Sequence, residues 1–204
     1  MKLWPTQLWP DNWIRRRLFD WSRTLPARAI RGPDGEPYLE RYMVCRLPWP
    51  FGGGRVYLHR FVASDPDRGL HDHPWRWAVS LILAGGYLEQ RLARFAPSGR
   101  RDRLAERRAP AINLLGGRSF HRVILGPEAE CWSIFIRPGR CKPWGFLTPR
   151  PAGAGADLPR TGAPIAAVVA GADYQIVEDA AESDPATWQR ADVMRAAGHL
   201  RGAP

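Results

Sequence analysis

The stretch Leu70-His71-Asp72-His73-Pro74-Trp75-Arg76-Trp77-Ala78-Val79-Ser80-Leu81-Ile82-Leu83-Ala84-Gly85-Gly86 places two histidines, one residue apart, at the entry of an apolar run that ends in a glycine pair. In an extended chain alternate side chains share a face, so His71 and His73 project two imidazoles the same way. A third histidine, His121, follows Gly116-Gly117-Arg118-Ser119-Phe120 and opens another β-like run. Together the three read as one metal site. Zinc, iron, copper and nickel all accept imidazole nitrogen, so the ligand set alone does not name the ion.

Outward from that stretch, Tyr, Val, Leu and Trp recur between Gly and Pro punctuation, which is an all-β pattern. Strands are predicted over 37–46, 55–63, 75–83, 87–95, 111–115, 119–125 and 131–137, with Ala84-Gly85-Gly86 as a hairpin turn. Arg100 to Arg108 is polar and arginine rich and reads as an exposed loop. Short strands in this order, with histidines near their middle, suggest a double-sheet barrel whose mouth holds a ligand. Upstream, a capping residue and apolar residues at helical spacing predict a helix over 12–23 that ends before Pro26. Beyond Pro149 the chain turns to Pro, Ala and Gly through residue 165, as in a linker. Ser183-Asp184-Pro185 then caps a helix expected to reach Ala197, with Gly198 just past its end. The expected organisation is an N-terminal helical arm (1–36), a barrel (37–147) and a tail (148–204).

With 204 residues and 45% apolar content the chain can bury a real core. The net charge of +10 is almost all arginine, spread along the chain, with Lys2 and Lys142 the only lysines. That distribution, and the lack of any recognition motif, argue against a nucleic-acid partner. Cys45, Cys131 and Cys141 are odd in number and form no Cys-x-x-Cys, which suits a reducing cytoplasm. Neither a signal peptide nor a membrane-spanning run is evident.

The stretch from Leu70 to Gly86, with His121 downstream, resembles the cupin superfamily over roughly residues 37–147. Gly85 falls on the glycine of the family's first motif, and Gly116 and Gly117 before His121 match part of the second. Trp77 and Ala78 stand where the first motif has a glutamate ligand, and Leu125 where the second has an asparagine. The resemblance implies an all-β double-stranded β-helix, or jelly-roll barrel, between a short N-terminal helix and a C-terminal helical tail. The three-histidine pattern is similar to that of the cupin thiol dioxygenases. This implies ferrous iron with open coordination positions, zinc, nickel or manganese being the alternatives. Three neutral imidazoles leave both charges of a divalent ion uncompensated, so the site favours an anionic ligand. Glu89 is a candidate fourth ligand if the hairpin register turns it inward. The implied function is that of an iron dioxygenase acting on a small anionic metabolite, in a homodimer.

In the family's register Ala78 points into the barrel, and Arg76 and Ser80 share its face, which places Arg76 to hold a carboxylate. The competing register puts Trp75, Trp77 and Val79 inside and Arg76 in solvent; Pro74 leaves both open. His59 shares a face with Tyr57 and Phe61 and is either a substrate-binding residue or a buried histidine satisfied by backbone. Tyr57 and Tyr87 offer phenols for proton transfer or substrate contact, or simply core packing. The ten tryptophans read as core and docking residues. Two other functions fit the same scaffold. One is a metal-free sugar isomerase or epimerase with a histidine base and tyrosine acid; the other is a non-enzymatic ligand sensor or binding module.

Overall fold

In the computed structural model residues 11–48, 53–66, 69–96, 99–126, 129–149, 172–177 and 188–204 are described. Helix α1 (Asp11–Ser22) precedes β1 (Pro26–Arg31), β2 (Pro37–Arg46), β3 (Arg55–Phe61), β4 (Leu70–His71), β5 (Trp77–Ala96) and β6 (Gly99–Arg108). There follow β7 (Ala111–Gly116), β8 (His121–Ile124), β9 (Cys131–Arg137), β10 (Trp144–Pro149), β11 (Ala172–Val177), β12 (Gln189–Arg190) and α2 (Ala191–Ala196). Among the described residues all the pairings are antiparallel. One sheet has the order β7-β5-β9-β3-β2-β1-β12, and the other β11-β10-β4-β8-β5-β6. The two face each other as a jelly-roll barrel, with β5 belonging to both.

That double membership corrects the expected hairpin. β5 runs straight through Ala84-Gly85-Gly86 and changes sheet there: its ladder to β9 ends at Gly85 opposite Cys131, and its ladder to β6 begins at Gly86 opposite Arg108. Gly85 has φ of 71°, and a Cβ on it would lie 2.0 Å from the Glu130 carbonyl oxygen. Only glycine lets one strand turn this corner. The arginine-rich stretch expected as a loop is likewise a strand, β6, because an edge strand can direct charged side chains to water. Both sheets extend beyond 37–147: β1 pairs β2, and β11 pairs β10. The expected helix over 12–23 is α1. The later helix is short, followed by Gly198 at φ of 76°; its expected start near Pro185 and the linker to residue 165 lie outside the described residues.

The first sheet is covered on both faces. Tyr42, Leu58 and Trp132 point away from the barrel interior and pack under Leu18 of α1 and Met194 of α2. Glu40 and Arg60, both buried, lie on the same outer face 3.4 Å apart. Arg60 also meets Glu130 at 2.7 Å and donates to the Gly202 carbonyl at 3.0 Å, so the C-terminal segment is tied to the barrel. Among the described residues no helix is long and apolar enough to cross a membrane.

Trp132 is fully buried between the barrel and the two helices, stacked with Tyr42 at a centroid distance of 6.1 Å. Its replacement by alanine should cost about 3–5 kcal/mol, read as a lowered urea midpoint with the barrel's far-ultraviolet circular dichroism retained.

Candidate metal centre

His71 on β4 stands opposite His121 on β8, and His73 follows two residues on. The three rings converge, with centroids 4.9 Å (His71–His121), 5.0 Å (His73–His121) and 5.1 Å (His71–His73) apart. One nitrogen from each lies within 4.8 Å of the others. Asp72 explains why the pair faces inward. Its carboxylate points the other way, accepts from the Gly145 amide at 2.8 Å and pairs with Lys142, which pins this segment to β10.

The donor set fits a divalent transition ion. Zinc, iron and similar ions take imidazole nitrogen, and three such nitrogens converge here, His73 Nε2 and His121 Nε2 being 2.8 Å apart. His73 stacks on Trp75 at 4.9 Å. Burial, and the neighbouring His121 and His71, hold His73 well below the ordinary value of 6.5, in the neutral form a metal requires.

The rings line a cavity of about 100 Å³ between the two sheets, walled by Trp75, Phe135, Trp144 and Phe146. Arg41, His59, Asp65 and Tyr87 also reach it. Arg41 Nε donates to His59 Nε2 at 3.2 Å, and His59 stacks on Phe135 at 4.7 Å. Burial first, then the charges of Arg41 and Arg137, hold His59 well below its ordinary value. The Tyr87 hydroxyl accepts from Asn113 at 3.1 Å, and burial pushes this phenol up.

Three residues that the sequence offers for the site are placed elsewhere by this geometry. Glu89 is not grouped with the three imidazoles; its Oε1 is 2.8 Å from His121 Nδ1, on the side of that ring away from His73. Arg76 is exposed and outside the cavity, because the chain bends over Pro74–Arg76 and β5 starts only at Trp77. The inward alternation through buried Ala78 and Ser80 therefore does not reach back to it. Tyr57 is buried but does not line the cavity; its hydroxyl accepts from Arg137 at 2.9 Å and Arg55 at 3.4 Å. Arg41 and Asp65 were missed. Arg41 carried a usable signal, since an arginine alternating with Leu39 and Met43 on one strand face marks an inward-pointing charge. Asp65 lies past the end of β3, where no periodicity applies.

No family model matches the chain, and no curated protein matches it. Solved structures similar to it include the polyketide cyclase RemF from Streptomyces resistomycificus, at 17% identity over 58% of this chain and 78% of that one, with a TM-score of 0.43. A recombinant oxalate oxidase in complex with glycolate is similar at 16% identity over 57% of this chain and 59% of that one, with a TM-score of 0.39. A cupin-like protein from Thermotoga maritima is similar at 14% identity over 54% of this chain and 77% of that one, with a TM-score of 0.37.

His59 and His73 stay neutral in the folded state at pH values where the unfolded chain takes up protons. Unfolding thus binds protons below about pH 6.5, and stability must fall as pH falls, by up to about 1.4 kcal/mol per pH unit for each histidine. Urea titrations of metal-free protein between about pH 7 and pH 5.5 should show this slope, roughly halved in His59→Gln. A flat profile contradicts the burial of these rings as neutral groups.

Proposed function

We propose that this chain is a metal-dependent oxidoreductase with a cupin-type barrel, an iron dioxygenase acting on a small anionic metabolite. The observation that supports this reading is the convergence of His71, His73 and His121 on one wall of the cavity. A ferrous ion held by these rings would supply redox chemistry and Lewis acidity at open coordination positions.

The chain's own residues supply the rest. Arg41 is the guanidinium that reaches the cavity, in the role the sequence offered to Arg76. Neutral His59 accepts from its Nε and so orients the fork toward a carboxylate. Arg41 at the wall and Arg137 behind Trp75 outnumber Asp65, so the field of the site is positive. Trp75, Phe135, Trp144 and Phe146 exclude water around the reacting groups, which strengthens every electrostatic contact inside. Size limits the substrate as well. A cavity of about 100 Å³ is smaller than the about 150 Å³ that accommodates benzene, so the enclosed part of the substrate has only a few non-hydrogen atoms.

Anaerobic purification followed by elemental analysis should find close to one iron per chain, and His73→Ala should lose it. Oxygen uptake should then respond to small carboxylates, including thiol-bearing ones, and not to their amides. Arg41→Met should raise KM about 10- to 100-fold, the loss of one charge-assisted pair, with the iron content unchanged. A protein that takes up no stoichiometric metal, and whose stability ignores a chelator, sinks the reading and favours the metal-free isomerase.

A further inference from the structure

Glu89 is fully buried, and both of its oxygens are engaged. Oε1 lies 2.8 Å from His121 Nδ1 and accepts from Arg91 Nη2 at 2.7 Å and from Asn113 Nδ2 at 3.1 Å. Oε2 accepts from Nε and Nη2 of Arg107, both at 3.1 Å. Two guanidiniums and an amide group thus donate to a carboxylate sealed from water, a donor set that calls for the ionised form. An ionised carboxylate has no proton to give, so the hydrogen in its contact with His121 belongs to Nδ1. In a neutral imidazole the other nitrogen is then a bare lone pair. That nitrogen, Nε2, is the one that meets His73.

Resting on the reading of the three imidazoles as a metal centre, we propose that Glu89 is a positioning residue. It holds His121 in its Nδ1-protonated form with Nε2 turned to the shared site, while Arg91, Asn113 and Arg107 clamp the carboxylate. The carboxylate that the first motif lacks as a ligand is thus present one layer further out, acting through a histidine. Arg107 comes from β6, which gives the arginine-rich strand a part in the site. Two guanidiniums against one carboxylate leave no net negative charge behind His121. The uncompensated charge of a bound ion therefore remains available to an anionic substrate.

Long-range proton–nitrogen correlation spectra of the metal-free protein read the tautomer directly, without any variant. His121 should be protonated on Nδ1; a hydrogen on Nε2 with Nδ1 bare overturns the proposal. Cobalt(II) titration of metal-free protein, followed by calorimetry and visible absorption, provides the second readout. Glu89→Gln should bind cobalt about 10- to 100-fold more weakly, and Arg107→Met should weaken it in the same direction. If Glu89→Gln fails to fold, Arg107→Met and the parent spectra decide. Equal cobalt affinity in the parent and the folded variants overturns this proposal alone. A parent that binds no cobalt, ferrous iron or zinc overturns the metal reading and this proposal with it.

Discussion

An ionised carboxylate removed from water persists inside a protein only when other donors replace the lost hydration, and the barrel is organised around that requirement at Glu89. Its donors come from four strands: Arg91 from β5 itself, Arg107 from β6, Asn113 from β7 and His121 from β8. β7 belongs to one sheet, and β6 and β8 to the other. One side chain thus joins the two layers at the point where β5 has just crossed between them. The same contacts that satisfy its charge also orient the His121 ring.

The cavity beside this network has an uneven charge balance. Asp72 is paired with Lys142 on the far face of its strand, and Glu89 is matched by two arginines. Asp65 is the carboxylate that lines the cavity, and it lies 3.9 Å from His71 Nδ1 and accepts from the Val123 amide at 2.7 Å. Against it stand Arg41 at the wall and Arg137 close behind, the latter with its guanidinium 5.0 Å from the Trp75 ring centroid. His59 and His73, set among these cations, stay neutral, because protonating them would add charge to a poorly hydrated space that already holds positive charge.

The outer face of the first sheet follows a different logic. Strands covered on both sides lose the apolar–polar alternation that makes half-exposed strands readable, and β3 is buried at Tyr57, Leu58, His59 and Arg60 in succession. β7 alternates cleanly, with Asn113 and Leu115 inside and Ile112 and Leu114 outside. The charged residues on the doubly covered face are tolerated because Arg60 gathers Glu40, Glu130 and a backbone carbonyl around itself.

β2, β3, both halves of β5, β7, β8 and β9, the helix before them and the pairing of His71 with His73 were legible in the residues, because a two-residue or helical period is a local property of the backbone. The trio with His121 was legible as a pattern, although its convergence depends on β4 meeting β8. Tertiary structure alone decided that Gly85-Gly86 carries β5 from one sheet into the other, that Arg100 to Arg108 pairs as a strand, and that Arg41 rather than Arg76 reaches the cavity. It also set Glu89 behind His121 instead of beside it. In each of these cases the outcome depends on which distant strand supplies the neighbouring hydrogen bonds, and strand register is a property of the assembled sheet that no short window of sequence contains.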